Sequence, residues 1–395
     1  MSQWHPFSPD AAHDGVDPRI AGGRLTVDLD ALVANYRLLQ RRAAPARAAG
    51  VVKADAYGLG AARVGRALWN TGCRTFFVAL PQEGIELRAA LPEAEIFVLN
   101  GTFGPEAAPA FAAHRLMPVI GSQADISTWE AFGWDDGDSP RPCAIHVDTG
   151  MNRLGLTPEE AVAFRADNAL TRALSPRLVM SHLACGDDAG HPLNRRQLES
   201  FQAVRAAFGN IDSSLSNSAG IFLGPEFRFD LVRPGIALYG GQPFNGGDNP
   251  MRAVATLEAR VVQVRHGRAG ETASYGGHGR LDRDTAIAVV STGYADGYHR
   301  ASSFAGVPLR DAVAGGGHGF VHGRRVPVLG RVTMDLTLFD VTDLGPEAVA
   351  VGDWIELFGS NIPVDEAASA AGTISYEMLT SLGRRYHRRY VGGDG

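Results

Sequence analysis

Lysine is almost absent from this 395-residue chain: of 37 basic residues, 36 are arginine and only Lys53 is lysine. A guanidinium keeps its proton in proteins and cannot attack a carbonyl, whereas an amine of lowered pKa can. Chemistry that needs an amine therefore falls to Lys53 or to the N-terminus. Cysteine is scarce too. Cys73, Cys143 and Cys185 are odd in number, far apart and in no CxxC pattern, which points away from a disulfide framework and from a structural zinc site. No run of about 18 apolar residues occurs, which excludes a membrane-spanning helix. The opening MSQWHPFSPDAAHDG lacks the basic start and apolar segment of a secretory signal. Excess positive charge is also missing, and a net charge of −6 offers no general basis for nucleic-acid binding. These absences describe a cytoplasmic protein with neither a membrane nor a nucleic acid as partner.

What is present, 45% hydrophobic and 20% charged residues, suffices for a large core. The length suits two or three domains, or one large barrel with an appendage. Residues 1–21 are polar with proline and glycine and read as a mobile tail. Leu29, Leu32, Val33, Tyr36 and Leu39 keep helical spacing, with Asp28 or Asp30 available as a cap. Eight short apolar runs follow: Val51 to Ala54, Phe76 to Leu80, Ile96 to Leu99, Met117 to Ile120, Ala144 to Val147, Leu178 to His182, Leu215 to Asn217 and Leu231 to Leu238. Amphipathic segments such as Glu83 to Ala90 and Arg195 to Phe208 separate several of them, the alternation of a parallel sheet with outer helices. Eight units over about 200 residues match an α/β protein with an N-terminal (β/α)8 TIM-like barrel, here residues 22–250; an open doubly wound sheet is the competing fold. GGQPFNGGDNP marks a boundary, after which strand-like runs dominate residues 251–395 until a closing helical segment from Ile374 to Tyr390. The second domain is thus mostly β.

In such a barrel the strand carboxyl ends share one mouth, where catalytic and cofactor groups gather. Those ends carry Lys53 and Tyr57, then Arg153, His182, Ser218, and Arg233 with Gly235. A lone amine, an aromatic or imidazole surface and a phosphate-binding region in one mouth suggest pyridoxal phosphate, whose aldehyde needs a lysine. Two other signals are discounted. GGGHGFVHG (315–323) lacks the strand-to-helix context of a phosphate loop and a third ligand for zinc. Cys185, Asp187, Asp188 and His191 fit an ordinary loop better than a metal site.

VVKADAYGLG, HVDTGMNRLG, SHLA, NSAG, LVRPGIALYG, SYG, GYADGY, VTMDL and SYE occur in one order, and on them the chain from about residue 22 to 390 resembles the alanine racemases. Each motif is weak alone; their ordered conjunction is specific. The resemblance implies a barrel, a C-terminal β domain, pyridoxal 5'-phosphate, and a head-to-tail homodimer whose sites each take residues from both chains. Lys53 resembles the Schiff-base lysine that handles the proton on the D-alanine face. Tyr275 resembles the opposing base on the L-alanine face, reaching in from the partner. Two bases answer a physical need, because one fixed group returns a proton to the face it came from. Arg233 resembles the arginine facing the pyridine nitrogen, and His182 the imidazole near the ring. Tyr57, Ser218, the backbone of Gly235 and Ile236, and Tyr376 are similar to the phosphate contacts. Arg153 and the backbone of Met334 match the holders of the substrate carboxylate. Asp187, Tyr294, Arg300, Asp335 and Ile374 resemble residues behind the site or along its approach. One position departs: many members carry a carbamylated lysine where this chain has His146, so Arg153 must be oriented by His146, a bound anion or another side chain. The implied activity is interconversion of L- and D-alanine to supply D-alanine for peptidoglycan. The rivals are a racemase with broader or serine preference, a barrel decarboxylase, disfavoured by Arg233, and a pyridoxal-phosphate carrier, disfavoured by the β domain and Tyr275.

Overall fold

The runs Thr75–Val78, Met117–Ile120 and Cys143–His146 are buried along their whole length. Strands apolar on both faces belong in a parallel sheet covered on each side. In the computed structural model, which describes residues 16–132, 141–303, 316–345 and 347–393, they do. Positions 1–15 of the expected tail and residue 315 of the glycine run lie outside the described residues. Gly50–Val51, Thr75–Val78, Glu95–Val98, Met117–Ile120, Cys143–His146, Pro176–Met180 and Asp212–Ser214 form one parallel sheet in chain order. Leu231–Val232 pairs in parallel with Arg47–Ala48. On its other side the Asp230 N–H donates to the Ser213 carbonyl (3.1 Å) and the Arg233 N–H to that of Ser216 (2.9 Å). An eighth strand thereby closes the sheet into a barrel.

Helices fill the returns between strands. Pro192–Phe208 buries Leu198, Phe201, Val204 and Phe208 at helical spacing. Pro81–Ala90 starts with proline, tolerated in a first turn because its missing N–H has no partner there. The seventh strand lies at Asp212–Ser214 rather than at the expected Leu215 to Asn217. The cause is chemical: the Ser213 hydroxyl donates to Asp230 (2.6 Å) and the Ser214 hydroxyl to the Leu231 carbonyl (2.5 Å), so a polar strand satisfies itself inside the protein.

The described residues divide into two compact units, Asp30–Arg252 with Gly393, and residues 16–29 with Ala253–Gly392. The second is a mostly β unit. Its sheet runs in the order Arg324–Pro327, His318–Val321, Trp354–Phe358, Ala255–Gly267, Gly23–Asp28, His387–Val391, with Thr285–Val290 and Thr337–Asp340 continuing from Ala255–Gly267. Gly23–Asp28 thus belongs to this sheet, whereas the expected barrel began at residue 22. Its burial alternates strictly, the signature of a strand with one covered face. The expected closing helical segment is instead the short helix Ser375–Thr380 followed by the strand His387–Val391. In the glycine run, His318–Val321 and Arg324–Pro327 form a hairpin whose turn residues, His322 (φ 48°) and Gly323 (φ 78°), both have the positive φ of a tight hairpin turn.

Arg88, on Pro81–Ala90, closes the ends of two helices. Its guanidinium donates to the carbonyls of His114 (2.9 Å), Leu91 (3.3 Å), Pro92 (2.9 Å), Ala94 (2.7 Å) and Arg115 (2.8 Å). These are orphaned or loop carbonyls that only a fan of donors can reach together. Arg88→Ala is expected to destabilise the barrel unit by about 2–4 kcal/mol, read as a lower urea midpoint. Arg88→Lys, with one compact ammonium, should recover little of that loss.

Candidate active site

The first barrel strand ends at Val51 rather than at the expected Ala54; Lys53 follows two residues on, and the chain then turns left-handed for four residues: Ala54 (φ 52°), Asp55 (φ 53°), Ala56 (φ 53°) and Tyr57 (φ 57°). Each such residue costs roughly 1–2 kcal/mol, because Cβ crowds the following carbonyl oxygen. Strain of this kind persists only where the surroundings over-determine it, and it concentrates at functional sites. The Asp55 carboxylate accepts the Ala61 N–H (2.7 Å) and so ties the turn to the next helix. Tyr57 is delivered inward, its ring 4.7 Å from that of Tyr239, whose hydroxyl donates to the Val51 carbonyl (2.8 Å).

The Tyr57 hydroxyl stands over Gly235, so close that a Cβ at 235 would lie 2.3 Å from it. Ser218 completes the surface: its Oγ accepts the N–H of Gly235 (2.9 Å) and of Ala237 (3.3 Å). Ile236 opens the 3-10 turn Ile236–Tyr239, whose first amides have no acceptor within the turn. Two hydroxyls and a glycine-lined stretch of backbone amides make a cradle that suits a phosphate dianion.

Arg233 stands two residues before Gly235. Arg233 is buried and donates to the Ser181 carbonyl (2.6 Å) and to the Ser214 hydroxyl. Burial pulls its guanidinium down to about 9, so it stays charged at neutral pH. Burial also lowers the Lys53 pKa, and the charge of Arg153 lowers it further, against an opposing effect of Glu83. His146 is held down to about 4 by burial and then by Arg233 and Arg153, with Asp148 opposing. His182 is held well below the ordinary imidazole range, first by burial and then by Arg233, Arg153, His146 and Lys53. Both imidazoles are therefore neutral at pH 7, able to donate from one nitrogen and accept at the other. An amine of lowered pKa beside a phosphate-shaped cradle is a nucleophile placed next to an anion site.

Gln197 escaped the sequence reading. Buried on Pro192–Phe208, it donates to the His182 carbonyl (2.9 Å) and Thr149 Oγ1 (3.3 Å) and accepts the Ala184 N–H (2.9 Å). It thereby fixes the loop carrying His182. The only signal was a polar residue on the apolar face of an amphipathic helix. Asp187, further along that loop, is held by Asn245, which donates to it through its backbone (2.8 Å) and side chain (3.1 Å).

The β unit holds the remaining predicted residues. Tyr275, Tyr294, Arg300, Met334 and Asp335 line one depression of about 870 Å³. The Tyr294 N–H donates to the Thr333 carbonyl and the Ala295 N–H to that of Met334, each at 3.0 Å. Arg385 bonds both carboxylate oxygens of buried Asp296 (2.6 and 2.8 Å) and reaches Asp335 (2.8 Å), clamping these two loops together. Tyr275, Met334 and Ile374 are 72%, 54% and 61% exposed. Ile374 caps the helix on which Tyr376 lies.

Comparison with known proteins gives the class first. The family descriptions "Alanine racemase, N-terminal domain" and "Alanine racemase, C-terminal domain" match residues 27–243 and 254–390, which makes the chain an isomerase built on a barrel and a following C-terminal domain. The alanine racemase of Rhizobium meliloti (strain 1021) is 55% identical over 94% of this chain and 98% of its own length. The biosynthetic alanine racemase of Agrobacterium fabrum is 54% identical over 94% of each. The crystal structure of alanine racemase from Bartonella henselae, with covalently bound pyridoxal phosphate, aligns with a TM-score of 0.85 at 39% identity, covering 94% of this chain and all of that one. The chain belongs to the alanine racemase family. Among the described residues, no helix is long and apolar enough to cross a membrane.

His146 gives the barrel unit a pH dependence. Its imidazole takes a proton near 6.5 in the unfolded chain and only near 4 in the folded one, so between those values the unfolded state binds more protons. Stability is therefore full above pH 6.5 and falls as the pH drops toward 4, by about 3 kcal/mol for this residue. Denaturation at stepped pH should show that slope, and His146→Gln should flatten it.

Proposed function

We propose that the protein interconverts L- and D-alanine, with pyridoxal phosphate carried by Lys53 and with Lys53 and Tyr275 as its two bases. The single observation carrying this is the coincidence of the only lysine, just after the first barrel strand, with the cradle of Tyr57, Ser218, Gly235 and Ile236 in the same barrel mouth. The cradle fits the cofactor: the absence of a side chain at Gly235 lets the Tyr57 hydroxyl approach the backbone where a Cβ would collide with it, and hydroxyl and amide donors of this kind suit a dianion. The relative that holds pyridoxal phosphate covalently supports the same assignment.

When bound, pyridoxal phosphate acidifies the α-hydrogen of the amino acid joined to it. The chain supplies the rest. Arg233 can only donate hydrogen bonds, so it leaves the ring nitrogen without a proton and limits how much charge the ring withdraws. That favours quick return of a proton over decarboxylation or transamination. His182 would flank the cofactor's ring, and by its motif Tyr376 is a further candidate to hold the phosphate. Arg153 pairs with the substrate carboxylate, assisted by the Met334 backbone, and neutral His146 orients Arg153 in place of the carbamylated lysine found in many relatives. The Lys53 amine exchanges the proton on the D face, and the Tyr275 phenol oxygen does so on the L face. Asp187, Tyr294, Arg300, Asp335 and Ile374 shape the approach.

The exposed Tyr275, Met334 and Ile374 support a homodimer in which the β domain of one copy serves the barrel of the other. The higher identity to a relative named biosynthetic (54%) than to two named catabolic (44% and 41%) supports a biosynthetic role; the role proposed is supply of D-alanine for peptidoglycan in the cytoplasm.

Borohydride treatment of the holoprotein is expected to fix the coenzyme on the peptide containing Lys53; a label elsewhere, or no coenzyme to trap, rejects the reading. In deuterated water each alanine enantiomer should invert with uptake of α-deuterium and without release of carbon dioxide. Tyr275→Phe should slow α-proton removal from L-alanine far more than from D-alanine, and equal losses would remove Tyr275 from its assigned face.

A further inference from the structure

Glu83 has no part in the reading above. It is the third residue of the helix Pro81–Ala90, where a glutamate commonly folds back onto the helix start. Its Oε2 does so, accepting the N–H of Leu80 (3.1 Å) and of Ala79 (2.7 Å). Its Oε1 does something no helix cap requires. It accepts the N–H of Ala54 at 2.7 Å, the residue directly after Lys53 and the first of the left-handed turn. One half-buried carboxylate thus joins the end of the first barrel strand to the end of the second through three backbone amides. Hydrogen bonds to a carboxylate are roughly twice as strong as neutral ones, and this one acts where the backbone is most strained. A turn that costs energy at each of four residues needs an external hold at its start, and Ala54 has no side-chain polar group to provide one.

We propose that Glu83 is a positioning residue for Lys53, its carboxylate holding the left-handed turn and setting where the lysine side chain leaves the backbone after the first strand; this rests on Lys53 being the reacting amine. The ammonium is faced by Arg153 from the loop after the fifth strand, by His182 at the end of the sixth and by Glu83 beside the second. Of these three, Glu83 alone is anionic. It favours the charged form of Lys53, while burial and Arg153 oppose that form. Loss of the Glu83 charge therefore makes Lys53 titrate at lower pH.

The test needs no turnover. In the full chain freed of coenzyme, the pH dependence of acylation by acetic anhydride, read at the Lys53 peptide by mass, reports one amine, because no other lysine exists. The expected midpoint for Glu83→Gln lies at lower pH than in the unmodified protein, while Glu83→Asp, which keeps the charge, stays nearer the original. Amide hydrogen exchange at Ala54 in the protein as purified should be slowed at least about tenfold relative to an unbonded exposed amide, with that protection lost in Glu83→Gln. An unmoved midpoint alongside lower thermal stability makes Glu83 a helix cap only and overturns the proposal. Should Glu83→Gln fail to fold, the Ala54 amide of the unmodified protein decides, since free exchange there overturns it equally. The borohydride experiment separates the two readings: a shifted midpoint without coenzyme on Lys53 rejects the function and keeps the role of Glu83, and the reverse rejects Glu83 alone.

Discussion

The Tyr57 hydroxyl occupies the place from which any side chain at residue 235 would have to grow. That close approach depends on two separate parts of the barrel. The left-handed turn after Lys53 swings Tyr57 inward, and the ring on Tyr239 keeps it there. Closure of the sheet brings the eighth strand alongside the first, where the Val51 N–H donates to the Pro234 carbonyl (3.2 Å), one residue before Gly235. Neither part alone makes an anion cradle. The same turn that presents Tyr57 also presents Lys53, so the amine and the cradle share one backbone constraint.

Charge gives the second constraint. Buried Arg233 and exposed Arg153 both act on His146 and His182, and a protonated imidazole there would add to the repulsion. Burial is the first reason that His146 and His182 stay neutral, and the neighbouring cations reinforce it. A neutral imidazole can still orient a guanidinium through its ring nitrogen, which a protonated one could not do. The proposed role of His146 toward Arg153 therefore depends on its staying neutral. Gln197 and Arg385 work at one remove from the chemistry, each spanning two loops with several bonds at once. Loops held in this way keep their geometry without further secondary structure.

Much of this was legible in residue order. Lys53 stood out by composition alone, and apolar runs bounded by glycine located most of the parallel strands, because buried parallel strands must be apolar on both faces. The seventh strand was misplaced because its serines find partners within the barrel, which no hydropathy pattern records. Gly23–Asp28 alternates as a strand should, yet its partners lie more than 200 residues away in sequence or at the far end of the chain. Local pattern carries no information on such pairing. Placing Tyr275 and Met334 relied on motif resemblance, since a tyrosine in a β unit carries no spacing of its own. Glu83 was hidden by a plausible local duty: a glutamate at the third position of a helix looks fully employed as a cap.

The place of Gly23–Asp28 has a consequence for dissecting the protein. It lies between Ala255–Gly267 and His387–Val391, antiparallel to one and parallel to the other, so the β sheet is assembled from both extremities of the polypeptide. A gene cut at the linker near residue 250 would yield a C-terminal fragment with a gap in mid-sheet and two bare, self-adhesive edges. A soluble half is better sought by circular permutation, moving residues 16–29 behind Val391 through a short connector, than by simple truncation.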